Sequence, residues 1–410
     1  MASVDRGRRL DIAWESMAPS LEARERRWVH EAVYGAIRLR GRLDYLLDQQ
    51  LDKGIESVPL PLLRVLRFGT YQLLYMGSVP SYAAVSQSAA QARRIGGSKG
   101  VGLVNAVLRA VGKVGGDVER FPRFDVDSVA HLCTWGSHPR WLVERWVAYY
   151  GPEGARSIVE AGNRTPALFF RPVGVSLGRA IEMLGRAGHD VSMGPASSDT
   201  LRLGPNTDPT AVLDTVPGII QDPAAARTAN FVQVKVGERV ADLCAAPGGK
   251  AIVLAAGGGW LIGSDPSRVR AERLRSSLRR LGLAERVVLA RGEAPPFRSV
   301  DRVLVDAPCT GTGTLSRHPD ARWRLSAESP AKLGSVQSRI LDGAGTIVRP
   351  GGRLVYATCA LEPEENEQVV EKFLETYPDF VLDGSEAVLR LVPGKGGTDG
   401  AYAARLRRKG

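Results

Sequence analysis

Two cysteines stand out by their settings. Cys309 lies in DAPCTGTGTLSRHPD, directly after Pro308, and Cys359 lies in YATCALEPEENE, directly after Thr358. Each follows an apolar, strand-like run and occupies a turn. A thiolate in a turn is a nucleophile when nearby positive charge or dipoles favour it. One chemistry that needs it is methylation at carbon 5 of a pyrimidine. That carbon is too weak a nucleophile to attack a methyl sulfonium directly. Addition of a thiolate to carbon 6 turns the ring into an enamine, and carbon 5 then reacts. A base removes the carbon-5 proton and the thiol is eliminated, so one hard step becomes several easier ones. A second polar group helps to release the adduct. The residues offer both cysteines for these roles and rank neither. Cys133 and Cys244 read instead as small buried hydrophobes.

A second cluster is CAAPGGK, the run Cys244, Ala245, Ala246, Pro247, Gly248, Gly249 and Lys250. Its small residues let a backbone pass close to a ligand, and the paired glycines permit a tight turn. The run is neither G-x-G-x-x-G nor a nucleotide phosphate loop, because Lys250 is followed by Ala251. Asp265 closes the next apolar run, about 20 residues on, where an acid typically takes ribose hydroxyls. The competing reading of Asp265 is a helix cap in DPSR. Glu293, in RGEAPP, follows a third apolar run, although a loop acid is ordinarily just solvated.

These residues need a frame that gathers them. From Phe231 onward, ERVADLC, WLIGSD, RVVLARG, DRVLVDA and GRLVYAT alternate with helical segments such as SRVRAERLRSSLRRLG. That alternation predicts a parallel, doubly wound sheet. Ligands sit beyond the carboxyl ends of such strands. Cys244–Lys250, Asp265, Glu293, Asp306–Cys309 and Thr358–Cys359 all fall at those ends. Residues 1–124 read as all-helical: Val29, Val33, Ala36, Leu43 and Leu47 recur at helical spacing, with Arg40 interrupting the stripe. Ser81 is expected to cap a helix that stops at Gly96-Gly97, and another closes before Gly115-Gly116. FPRFDVD, Phe121 to Asp127, reads as a linker. Residues 128–230 read as α+β, with Ser137 a candidate helix cap and PALFFRPV and LRLGP as short strands. The expected domains are 1–124, 128–230 and 231–410.

The chain has 410 residues, 24% of them charged, with net charge +11. Residues 1–124 hold 19 Lys and Arg against 12 Asp and Glu, so +7 lies in the first third. This balance favours a polyanionic partner, most simply nucleic acid. No apolar run reaches the ~20 residues of a membrane span, and MASVDRGRRL is no secretory signal. The four cysteines lack C-x-x-C spacing, which argues against a zinc site or disulfides and for a cytoplasmic location.

At ADLCAAPGGK, DAPCTGTGTLSRHPDARW, GGRLVYATCALEPEENEQVV and TDGAYAARLRR the chain resembles the S-adenosylmethionine-dependent RNA cytosine-5 methyltransferases. RFGTYQLLYMGSVPSYAAVSQSAAQARR and GLVNAVLRAV resemble the NusB-type RNA-binding helical domain. The pairing is similar to the bacterial B-type branch acting on 16S ribosomal RNA. The resemblance implies an all-α NusB-like domain, an α+β RNA-recognition subdomain and an α/β Rossmann-like catalytic domain. It implies Cys359 as nucleophile, Cys309 as the residue that helps release the adduct, and Asp306 at the junction of cofactor and target base. Cys244–Lys250, Asp265, Glu293 and Asp306 are implied cofactor contacts. RNA is the implied partner, as naked or early-assembly 16S rRNA, with no metal, membrane or obligate protein partner. Asn366 is expected to support its loop and Glu364-Glu365 to begin a solvated helix. Ala251 stands where the family usually has Thr, and Glu293 where Asp is common. The alternatives are a NusB-like RNA-binding assembly factor with an inactive methyltransferase body, action on another RNA such as tRNA, and a methyltransferase for proteins or small molecules. Intact motifs and the basic first domain weigh against them.

Overall fold

The computed structural model describes residues 2–394 and 397–410. The chain divides into two compact units, Met1–Arg164 with Leu315–Ala327, and Thr165–Thr314 with Glu328–Gly410. This division differs from the boundaries expected near 124 and 230. Residues 128–164 fall with the helices, and the 165–230 segment falls with the sheets.

The first unit is helical. Helices Arg40–Asp48, Leu60–Tyr75 and Ser81–Val114 share a core that includes Leu47, Leu66, Val104 and Leu108, and the helix Ala23–Arg38 packs Ala32 and Ala36 against Leu43 and Tyr71. The apolar stripe read as one helix is two, parted at Leu39. The break is built by tertiary contacts. The Ser137 hydroxyl donates to the Arg38 carbonyl at 2.8 Å and accepts from the Gly41 amide at 2.9 Å. Ser137 is therefore no helix cap; it sits at φ 57 and is fully buried. The long helix is interrupted at Gly97, φ 59, as the glycine pair implied, and stops at Gly115. Pro80, not Ser81, holds its N-cap position. The expected linker is packed: Phe121 is buried, stacked 5.1 Å from Tyr45 and edge-on to Trp135.

Leu315–Ala327 belongs to this unit because its side chains are bonded into it. Fully buried Arg322 donates to the carbonyls of Ser137 and Gly162 and to Asn163 Oδ1, at 2.8–3.0 Å. Trp323 Nε1 donates to the Ile37 carbonyl at 2.8 Å. The two terminal nitrogens of this guanidinium are satisfied by carbonyls without a carboxylate, which makes its burial tolerable although Nε has no partner among the described residues.

The second unit contains two sheets. Strands β1 (Phe169–Pro172), β2 (Val191–Met193), β3 (Leu201–Leu203) and β4 (Gly218–Ile220) form an antiparallel sheet in the order β2-β3-β1-β4. Helices Leu177–Arg186 and Pro209–Thr215 bury Leu184 and Val212 against it, as the α+β reading required. The larger sheet comprises β5 (Arg239–Asp242), β6 (Trp260–Ser264), β7 (Val287–Val288), β8 (Val300–Asp306), β9 (Val348–Thr358), β10 (Phe380–Leu382), β11 (Val388–Leu391) and β12 (Ala401–Arg408).

Its order is β10-β12-β9-β8-β5-β6-β7, with β11 also pairing β12. Strands β5 to β9 run parallel, but β12 is antiparallel to β9, β10 and β11. The sheet is thus mixed, a correction to the all-parallel expectation. Both faces are covered. Val303 and Val305 pack with Ile340 and Leu341 on one side, and Leu304 packs with Ile252 and Leu274 on the other. That explains the unbroken apolar run of β8. From β5 the chain moves to β6 on one side and later to β8 on the other. The carboxyl ends of β5 and β8 therefore flank the topological switch point, where α/β sheets bind ligands.

Candidate active site

The parallel pairing of β8 and β9 is what joins the two cysteines. Asp306 pairs with Ala357, and the Ala307 amide donates to the Ala357 carbonyl at 2.8 Å. Two residues further on, Cys309 Sγ lies 3.2 Å from Cys359 Sγ, and the Cys359 amide points at Cys309 Sγ at 3.4 Å. Fifty residues of sequence thus close into one contact. The hydrogen bond to Cys359 and then burial hold the Cys309 thiol well above its ordinary pKa. Either sulfur can donate in this contact, so the two thiols share one hydrogen bond.

A buried polar scaffold sets this geometry. Glu365, with no exposed surface, accepts from the Thr310 amide and from Gln337 Nε2, each at 2.9 Å, and from the Thr310 hydroxyl. Gln337 also donates to the Pro308 carbonyl at 2.9 Å. Glu362, 2% exposed, accepts from the Thr312 hydroxyl, while that hydroxyl oxygen accepts from the Leu361 amide at 2.9 Å. Asn366 Nδ2 donates to the Ala360 carbonyl at 3.1 Å, so it supports the cysteine loop as expected. Glu365 is the opposite of the expected solvated residue. Its carboxylate is the acceptor that orders the turn around Cys309.

Beneath the cysteines, Lys250 Nζ donates to Asp306 Oδ2 at 2.7 Å. Burial opposes the lysine charge, but Asp306, then Cys359 and Asp242, raise its pKa. Asp242 ends β5 and is 1% exposed. Burial, and then the charge of Asp306, push its carboxyl up to about 8. Its Oδ2 has no hydrogen-bond partner among the described residues. The sequence reading passed over this residue; an acid closing the apolar run ERVADLC was the available signal.

The glycine loop leaves β5 as expected. Ala245 donates its amide to the Ser264 carbonyl at 3.0 Å, and Gly248 turns at φ 123 to start the helix Gly249–Ala256. Cys244 packs beside the sheet core, and burial raises its thiol pKa further than the burial around Cys133 raises that one, to about 11. Neither is poised as a nucleophile. Asp265, 1% exposed, closes β6. Its Oδ1 accepts from the Ser267 amide at 2.8 Å and pairs with Arg270 at 3.0 Å. Ser267, not Asp265, caps the following helix. Glu293 lies half-buried in the loop after β7. Its backbone carbonyl is so close to Gly343 that a Cβ there would stand 2.6 Å away. Its carboxylate has no partner among the described residues. Hydrogen bonds and charges therefore join Asp242, Cys244, Lys250, Asp306, Cys309 and Cys359, and leave Glu293 outside the group.

Family models match three segments: residues 229–407 to the 16S rRNA methyltransferase RsmB/F model, 4–113 to the NusB family, and 138–208 to the ferredoxin-like domain of RsmF/B-like methyltransferases. The chain is 34% identical to ribosomal RNA small subunit methyltransferase B of Thermus thermophilus, over 100% of this chain and 96% of that protein. It is 32% identical to the protein of the same name from Vibrio vulnificus, over 98% and 96%. The crystal structure of PH0851 superposes with a TM-score of 0.77 at 25% identity, covering 94% of this chain and 91% of that one. With relatives this similar across nearly their whole length, the chain belongs to the 16S rRNA methyltransferase RsmB/F family.

Proposed function

We propose that this protein methylates carbon 5 of a cytosine in 16S ribosomal RNA through a covalent adduct on Cys359. The observation that carries the reading is the 3.2 Å contact between Cys309 and Cys359, beside the Lys250–Asp306 pair. S-adenosylmethionine is the cofactor of the family, and the crevice fits it. Asp242 presents an unpartnered buried oxygen, Gly248 turns the backbone at φ 123 without a side chain of its own, and Asp265 keeps its Oδ1 contacts on one side of the carboxylate. The loop Cys244–Lys250, Asp265 and Asp306 would hold it, with Glu293 reaching from the loop after β7. When bound, S-adenosylmethionine supplies an electrophilic methyl group.

The chain's own residues do the rest. Cys359 as thiolate adds to carbon 6, and the ring's 5,6 electron pair moves to carbon 5 to make that atom nucleophilic. Lys250, held charged by Asp306, favours the thiolate electrostatically. Once Cys359 is bonded to carbon, it no longer carries the charge or the thiol hydrogen bond that raise the Cys309 pKa, and burial alone of the leading causes remains. Cys309 releases its proton to solvent and takes the proton from carbon 5. The electron pair left on carbon 5 re-forms the double bond and expels Cys359 as thiolate. The target base must leave its stack or lie in a single strand to reach these groups. The basic charge of the helical unit suits the RNA backbone, and naked or early-assembly rRNA is the substrate most open to it.

The test is a pair of variants incubated with 16S transcript and cofactor. Cys359→Ala should abolish both turnover and covalent capture of RNA. Cys309→Ala should accumulate an RNA–protein adduct that survives a denaturing gel. The converse pattern would reverse the assignment, and bisulfite mapping that shows no new 5-methylcytosine would sink the reading.

A further inference from the structure

Gln221 directly follows β4 and is 6% exposed. Its Oε1 is buried and has no hydrogen-bond partner among the described residues. A buried acceptor without a donor costs stability, and native proteins keep few of them. The backbone around this side chain is nonetheless firmly held. The Gln221 amide donates to the Phe169 carbonyl of β1 at 2.9 Å, and Arg280 donates to the Gly218 carbonyl at 2.9 Å. The next residue, Asp222, caps the helix Pro223–Phe231 and accepts from the Asp399 amide at 3.3 Å.

Two connections tie this side chain to the crevice. A Cβ on Gly249 would stand 3.3 Å from Gln221 Nε2, and Gly249 begins the helix that carries Lys250. On the other side, Gly400, next to Asp399, donates its amide to the Gly313 carbonyl at 2.7 Å, and the Gly313 amide donates to the Cys359 carbonyl at 2.9 Å. The chemistry of a carboxamide then selects the ligand. It offers one donor and one acceptor side by side, without charge. Cytosine presents the complement at one edge only, where the N4 amino donor lies beside the N3 acceptor, and flipped bases are read by hydrogen bonds to that edge. The carboxylate of the cofactor would answer the donor but leave Oε1 facing an anion. We propose that Gln221 holds the target cytosine by its N4 and N3 atoms and so presents carbon 6 to Cys359. The inference rests on the reading of Cys359 as the nucleophile and adds the residue that orients its base.

The test is single-turnover transfer of a tritiated methyl group by the full-length protein. The acceptor is a 16S fragment with either cytosine or pyrimidin-2-one, which lacks the N4 amino group, at the methylated position. Gln221→Leu should slow transfer to cytosine about 10-fold, the scale of one or two lost hydrogen bonds. Transfer to pyrimidin-2-one should slow by less than about 3-fold, because only the N3 contact is left to lose. The melting temperature should hold or rise, because an unpartnered buried oxygen is removed. Cofactor affinity, measured by calorimetry, should match that of the parent. Gln221→Met keeps the length of the side chain, should behave alike, and covers the case in which the leucine variant does not fold. The proposal is overturned if the variants transfer to cytosine as fast as the parent, or if they slow both RNAs equally, as a purely structural role would. It is equally overturned if cofactor affinity falls as far as transfer does, which would make the cofactor the occupant. A parent that transfers no methyl group to cytosine would instead defeat the catalytic reading, and that failure shows without any variant.

Discussion

Glu365 has no exposed surface and no cation against it among the described residues, yet three donors converge on its carboxyl group. Burial pushes its pKa up to about 7, while the Thr310 donors pull the other way. The folded state therefore binds this proton more tightly than the unfolded chain does. The stability linked to it is fully present below the unfolded value of 4.5 and is lost as pH rises through 7. Between those limits the loss is roughly 3 kcal/mol at most. Glu365→Gln removes the titration and keeps an acceptor for the Thr310 amide. Thermal unfolding at pH 5 and pH 8 should show a smaller gap for the variant than for the parent. An identical gap would mean that Glu365 does not titrate in this range. Glu365→Ala removes the acceptor as well, frees the turn around Cys309 and should lower kcat by up to about 100-fold, the scale of a misplaced reacting group.

At the scale of elements, three backbones meet at Gly313. Its amide donates to the Cys359 carbonyl at 2.9 Å, and its carbonyl accepts from the Gly400 amide at 2.7 Å. A Cβ on Gly313 would lie 2.7 Å from the Cys359 carbonyl oxygen and 2.8 Å from Gly400 Cα. Backbone cannot yield as a flexible side chain does, so Gly313→Ala should cost about 1–3 kcal/mol in unfolding free energy and most of the activity. Gly178→Ala, in a helix and with nothing within 4 Å of the added carbon, should be neutral or stabilising. Equal effects of the two changes would remove the close approach as the cause. The parallel strands were legible in the sequence because strands buried on both faces read as apolar runs. Strand β12 was not, because AYAARLRR is half small or aromatic residues and then mostly arginines, with no apolar run. Arg405 is buried all the same, paired with Asp383 at 2.9 Å, and Asp383 also pairs with Arg353. The helix break at Leu39 and the burial of Glu365 were hidden for a related reason. Each is decided by a partner distant in sequence, Ser137 in one case and Thr310 with Gln337 in the other. The cysteines were legible as strand-end residues, whereas their ranking came from the resemblance and their 3.2 Å contact from the pairing of β8 with β9.

Across the whole molecule, the charges follow two different designs, and one experiment separates them. In the crevice, Lys250 and Asp306 neutralise each other at 2.7 Å, and Asp242 is held near neutrality by burial. In the helical unit, the stretch 57–116 has cations with no acid at all within a chain of net charge +11. A ligand of the crevice meets a locally balanced site, whereas a polyanion meets an unbalanced surface and releases counterions when it binds. Engagement of about five phosphates should make single-stranded RNA affinity fall roughly 100-fold between 50 and 200 mM salt. Cofactor affinity, measured by calorimetry over the same range, should change less than about 3-fold, because close pairs are screened far less than exposed charges. RNA affinity that stays flat with salt would deny the basic surface its role in substrate binding. A cofactor affinity that falls as steeply as that for RNA would deny that the Lys250–Asp306 pair balances the crevice.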